Sequence, residues 1–385
     1  MSGSNNRVSG IAPGGIFRRA AANRALILLA GTAIALSPLY LSAASAADKA
    51  AKSAATASKV AYKAPLAADG HADITGVWSN ATLTTESRPK EATALVYTPA
   101  EVLKLEDFAQ YEIKFGNANT PVDAPIDVPN GLQLRESFNR AAGPSGAYNR
   151  GWLDPGSAVM RVRGEPRSSF LLTPDGQVPA LKAGVPKPPV RDYGGEGGGA
   201  GNSDNPENRT LGDRCLVFAN NAGPPLQPNG FYNNNYKIVQ SKDSVAIDVE
   251  AGHDVRLVDL KRKTHIPSQF RPYFGDSIGH WEGATLVVET TNIPQGQSYH
   301  GSWKNLTVTE RFTRVSKNGL LYQYTIDDPT MWDKPFNGEY QFYPLNGDVY
   351  EYACHEGNYA MEGILAGARQ IERDAAAAGK TTAAK

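Results

Sequence analysis

Cysteine, histidine and methionine are scarce in this chain. Its 385 residues include two cysteines, six histidines and four methionines, and Lys plus Arg equals Asp plus Glu at 39 each. That balance leaves no strong field to draw in nucleic acid or an anionic membrane, so neither is an expected partner. No H-E-x-x-H or similarly short spacing pairs the histidines, so no metal is expected, and no other cofactor is expected either. The Gly-rich run at 194–201 lacks the Lys-Ser/Thr ending of a phosphate loop and reads as a surface loop. There is no G-x-S-x-G element, and Ser277 between Gly275 and Gly279 resembles one only superficially. The one long apolar run, residues 25–36, is interrupted by Ser37-Pro38 before the roughly 20 residues a membrane helix needs.

What the chain has instead is turn formers and tyrosine. It carries 38 glycines, 26 prolines and 17 tyrosines, a composition that favours a turn-rich β protein. Arg18, Arg19 and Arg24 precede the apolar run, and small residues lead to Ala46. That pattern predicts a secretory signal over 1–46 and a periplasmic or secreted protein, with no membrane span after cleavage. In an oxidising compartment Cys215 and Cys354 are expected to pair, two buried thiols being the alternative.

The organisation follows in order. Residues 47–70 are Ala/Lys/Ser-rich and read as a disordered linker, and 71–373 as a single β-rich domain, with 374–385 a disordered tail. Within the domain, 71–210 is a helix and loop subregion, 211–358 a barrel and 359–373 a short helix. A first strand is expected near Val77-Trp78, and a helix over 98–112, where Thr98, Pro99 and Glu101 make a capping box. Further candidate strands are 158–163 and 168–173, then 236–240, 244–250, 255–259, 278–281, 285–291, 306–315, 320–326, 338–343 and 349–354. Turn signals at 282–283, 317–319 and 346–348 separate several of them. The fold class is therefore mainly β, an antiparallel barrel or strongly curved sheet with a few short helices, and Gly76-Val77-Trp78 at the start of the first strand resembles the Gly-x-Trp of lipocalins, which implies a lipocalin-like barrel.

Alternation within strands selects the residues that could carry chemistry. Glu310 shares a face with Leu306, Val308 and Phe312, and a carboxylate in an apolar wall is a candidate general acid or base. Pairing with an arginine of a neighbouring strand is the alternative. Glu289 is a second candidate if its strand lies beside that of Glu310. His253, Asp254 and Arg256 open one strand, bringing a proton carrier next to a group suited to an oxyanion; a turn held by an Asp254–Arg256 pair is the alternative. His355 and Glu356 follow Cys354. Tyr232, Asn234, Trp281 and Tyr324 are candidate ligand contacts, aromatic and amide groups suited to an aromatic, terpenoid or glycoside molecule.

Four stretches carry a resemblance: YNNNYKIV at 232–239, GDSIGHWEGATLVVETTN at 275–292, LTVTERFT at 306–313 and YACHEGNY at 352–359. They resemble a large, poorly characterised family of exported bacterial β-barrel proteins, over roughly residues 73–373. Ala284 departs from the Asp that follows Trp-Glu-Gly in that pattern. The resemblance implies export and a barrel, and no reaction.

The expected function is an exported, cofactor-independent lyase or isomerase that performs elimination, hydration or isomerisation on a partly apolar small molecule. His253, His355, Glu289 and Glu310 are its candidate catalytic groups. A non-catalytic periplasmic carrier is the alternative, with a hydrolase third.

Overall fold

Apolar residues alternate with polar ones in the segments after residue 235, and short turns join them, so each strand lies against its sequence neighbour and turns one face inward. The computed structural model describes residues 62–116, 154–186, 203–217, 223–228 and 233–378. The signal segment, residues 47–61 of the linker, Tyr232 and the tail beyond residue 378 lie outside the described residues.

Nine strands form a closed barrel. They are β1 (Gly76–Ser79), β4 (Asn235–Gln240), β5 (Ser244–Val249), β6 (Asp254–Asp259), β7 (Asp276–Glu282), β8 (Thr285–Thr291), β9 (Thr307–Ser316), β10 (Gly319–Asp327) and β11 (Phe336–Pro344). Around the barrel the order is β1-β11-β10-β9-β8-β7-β6-β5-β4, and β1 closes it by pairing with β4. The barrel is thus not confined to 211–358: the short strand near Trp78 seals it. Between them in sequence, β2 (Arg161–Val162) and β3 (Glu165–Pro166) form a small hairpin, and Leu171 bridges to Gly338 beside β11.

All barrel pairings are antiparallel except β6 with β7, which run parallel through Val258–Ser277 and Asp259–Ile278. Parallel neighbours need a long crossover, and residues 260–275 supply one without a helix. An ionic clamp shapes that crossover. Arg262 bonds Asp259 and Asp276 at 2.8–3.1 Å, His265 Nδ1 lies 2.8 Å from Asp276, and the backbone N–H of Ile266 donates to the same carboxylate.

Among the described residues, two α-helices accompany the barrel. The first, α1 (Pro99–Gly116), starts at the expected capping box, with Thr98 N–H and hydroxyl both donating to Glu101 Oε2 at 2.7 Å. Glu106 ties it to the segment before β2, accepting from Val159 N–H. The second, α2 (Ala360–Ala377), runs four residues past its expected end. Residues 349–354, expected as a strand, form none. The stretch assigned to the linker already carries structure at its end, where Leu66 bridges Ala72 and Ala64 is buried.

The barrel is filled. Trp78, Tyr236, Phe312, Tyr322, Tyr340 and Phe342 point inward and pack as tilted or edge-on rings 4.8–5.8 Å apart where they meet. Tyr324 fits only because its register partner is Gly338, where any Cβ would fall inside the Tyr324 ring.

Candidate functional site

Glu310 on β9 faces the barrel interior as the alternation requires, with 0% exposure. Its partner is Arg256, which is 1% exposed and reaches across the lumen from β6, with β7 and β8 lying between it and β9 in the barrel order. The guanidinium forks onto the carboxylate with Nη1 to Oε2 at 2.7 Å and Nη2 to Oε1 at 2.9 Å, and the Tyr322 hydroxyl donates to Oε1 at 2.8 Å. Burial works against the charge of Arg256, and Glu310 overcomes it and holds the guanidinium proton more tightly than usual. Burial also pushes the Tyr322, Tyr340 and Tyr236 hydroxyls up, so these remain protonated donors. Of the two expectations for Glu310, the structure has the arginine pair, though from across the barrel. Arg256 is correspondingly paired with Glu310 and not with Asp254, as the alternative had it.

The other expected residues scatter. β8 does pair with β9, but the register sets Glu289 against Thr309 and Val288 against Glu310, so Glu289 lies on the opposite face from Glu310. Glu289 instead meets His265 Nε2 at 3.1 Å on the outer surface. His253 sits exposed in a left-handed turn (φ 57°), while Asp254 is buried at the start of β6. Asn234 is fully buried and donates to the Asp154 carbonyl, a structural bond. Trp281 stacks on His71 with ring centres 4.9 Å apart. Tyr324 is core, and His355 and Glu356 are exposed beside the disulfide. The barrel interior therefore does not gather the expected catalytic set.

The stretch that does form a concavity is 351–358. Cys354 and Cys215 are disulfide-bonded, their Cα atoms 5.6 Å apart, and this staples 351–358 to the turn at 211–217. On the other side Arg369 of α2 donates to the Ser203 and Asp204 carbonyls and docks the helix on the stretch that precedes that turn. Between them lies an open cleft of about 490 Å³, its wall made by Asp213, Glu351, Tyr352, Cys354, Asn358 and Ile364. A volume of that size suits a small organic ligand. Its lining combines apolar Ile364 and the Tyr352 ring with polar Asp213, Glu351 and Asn358, and no cationic side chain is among the described residues that line it. His253, His355 and Glu310 are not part of it.

A second polar cluster was invisible in the sequence because its members are far apart. Glu86, in the loop after β1, accepts from the Tyr299 hydroxyl at 2.6 Å on Oε1, and its Oε2 lies 2.9 Å from His300 Nε2. His300 and Gly301 both have positive φ, the signature of a tight two-residue turn between Tyr299 and Ser302. That turn leaves the imidazole half exposed, and its Nδ1 has no hydrogen bond among the described residues. Burial, with Glu86 adding to it, pushes the Tyr299 hydroxyl well up.

Comparisons of the chain with protein-family models, with curated proteins and with solved structures find no match.

Proposed function

We propose that the protein is an exported binding protein that carries a partly apolar small organic molecule in the cleft beside the Cys215–Cys354 disulfide. The observation that supports this reading is the pairing of an open cleft of about 490 Å³ with a barrel whose buried charges are already satisfied by one another. The barrel acts as scaffold, and the 351–358 stretch forms the binding wall. The Glu351 carboxylate beside Tyr352 and Ile364, with Asp213 already ion-paired to Arg209 at 3.0 Å, favours a ligand with an apolar or aromatic body that presents a hydroxyl or amine donor. Aromatic, terpenoid and glycoside pools contain such molecules. Thermal-shift screening of these pools against the mature protein is the test. A ligand at 100 times its Kd should add about 2.7 kcal/mol, several degrees in Tm for a protein of this size. No shift from any pool would count against the reading.

A second reading is an acid–base enzyme, favoured by one specific observation: the exposed His300 imidazole is held by Glu86 through Nε2, and its Nδ1 has no hydrogen bond among the described residues. A carboxylate-oriented imidazole is a competent proton carrier. Chemical analysis of each bound compound after incubation separates the two readings. Recovery of unchanged compound supports the carrier. A product that disappears in His300→Asn while binding persists supports the enzyme.

A further inference from the structure

One wall of the cleft is held in place by its disulfide more than by packing. No residue from 346 to 359 is buried. The backbone N–H groups of Cys354, Glu356 and Asn358 donate within the stretch itself, to the carbonyls of Tyr352, Ala353 and His355. A segment with no buried side chain and locally closed backbone bonds opens at low cost. It is tied to the 211–217 turn by the Cys215–Cys354 bond and, beside that bond, by Asn358 Nδ2 donating to Cys215 Sγ at 3.1 Å.

The two sulfurs are not equivalent. Cys354 is part of the wall of the open cleft, where a small thiol can reach it. Cys215 has the amide donor, and a hydrogen bond that is weak to a neutral sulfur strengthens when the sulfur becomes a thiolate. Cys215 also sits in left-handed backbone (φ 52°), a conformation that a non-glycine residue keeps only while its surroundings hold it. Cys354 is therefore the sulfur an incoming thiolate meets, and Cys215 the one set to leave. A cross-link that only staples a fold needs neither access nor a donor at one sulfur, and both cysteines here are half-buried rather than enclosed in the core.

We propose that Cys215–Cys354 is a thiol–disulfide exchange site for a dithiol reductant, and that its reduction opens the cleft. One thiolate of the reductant attacks Cys354 Sγ, the S–S bond breaks, and Cys215 leaves as a thiolate held by the Asn358 N–H. The second thiolate of the reductant then attacks the mixed disulfide and Cys354 leaves. The reductant ends as a disulfide, two electrons have passed to the protein, and the two protons of the dithiol end on the two cysteines. Residues 351–358 are then free of the turn and the cleft loses a wall. Release of a bound molecule is the consequence, and that last step alone rests on the binding function proposed above.

The test uses the full mature protein without denaturant. Glutathione, a monothiol, stops at the mixed disulfide. After acid quenching and alkylation, mass spectrometry should find glutathione on Cys354 and a free, alkylated Cys215; the reverse assignment overturns the proposal. Dithiothreitol should reduce the bond fully while the near-ultraviolet circular dichroism of the barrel tyrosines stays unchanged, and chymotryptic cleavage after Tyr350 and Tyr352 should quicken. Reduction that occurs only when that signal is lost overturns the proposal. Asn358→Asp keeps the acceptor for the Ala360 N–H but removes the donor to sulfur, and it should slow reduction about tenfold or more. A rate equal to wild type overturns the proposal. These readouts need no ligand, so they decide the exchange site even if no compound from the screened pools binds and the binding function fails. Where a compound does bind, its Tm shift should vanish in the reduced, folded protein, and a shift that survives reduction overturns the opening of the cleft.

Discussion

At the scale of single residues, Glu310 is the informative case. It is an inward-facing carboxylate whose two oxygens are filled by Arg256 and Tyr322. Glu310→Gln leaves a buried guanidinium without its counter-charge, so the variant is expected to lose about 3–5 kcal/mol of stability in urea denaturation, with ligand binding retained. Replacing both partners with apolar residues, Arg256→Met with Glu310→Leu, should recover most of that loss, because the desolvation of both charges is then avoided. Unchanged stability in Glu310→Gln would contradict the pairing. The inward face of Glu310 was legible from Leu306, Val308 and Phe312; its partner was not. In β6 the apolar side chains Val255 and Leu257 point out to solvent, 47% and 65% exposed, and Arg256 points in. Reading the apolar face as the inner one inverts that strand. Only closure of the barrel brings Arg256 to Glu310, and nothing local in the sequence encodes that reach. The Glu86–His300 contact spans 214 residues and was hidden for the same reason.

At the scale of elements, turn signals and alternation gave eight of the strands after residue 235, because hairpins are local. Periodicity does not name a partner, so the parallel β6–β7 junction was not legible, nor was the crossover that makes it possible. Its clamp has a pH signature. Asp259 is held down to about 2, first by the Arg262 backbone N–H and then by its guanidinium. Burial raises Asp276, but Arg262, His265 and the Ile266 N–H outweigh it and hold its carboxyl below the usual range. Both folded values lie below the ordinary value of about 3.9. The stabilisation is therefore complete above about pH 4 and is lost as pH falls toward 2, when the unfolded chain takes up protons that the folded one does not. Denaturation midpoints measured from pH 5 to pH 2 should fall across that window, and Arg262→Met should flatten the fall. The β10–β11 pair makes a different demand. Gly338→Ala drives a methyl group into the Tyr324 ring, and overpacking of this kind is expected to remove roughly 1–3 kcal/mol, read as a lowered Tm; Tyr324→Phe leaves the clash in place and should not rescue it.

At the scale of the whole molecule, the disulfide joins the entry of the later strands to the end of the barrel across 139 residues. The chain-entropy model gives roughly 5 kcal/mol for a loop of that length. Reduction, or Cys354→Ser, should lower stability by up to that amount and weaken ligand binding as well, because Cys354 is part of the cleft wall. Scaffold and site are separable on this account: the barrel interior supplies stability, and the cleft between 351–358 and α2 supplies binding. The most direct measurement of that separation compares ligand-induced Tm shifts in two variants, using whichever compound from the screened pools binds the wild type. Ile364→Arg places a long cationic arm in the cleft without touching the barrel; Glu310→Gln breaks the barrel's charge pair without touching the cleft. The account expects Ile364→Arg to keep the unliganded Tm and lose the shift, and Glu310→Gln to lower the unliganded Tm and keep the shift. The opposite pattern, a full shift in Ile364→Arg and none in folded Glu310→Gln, would contradict it and return the site to the barrel interior.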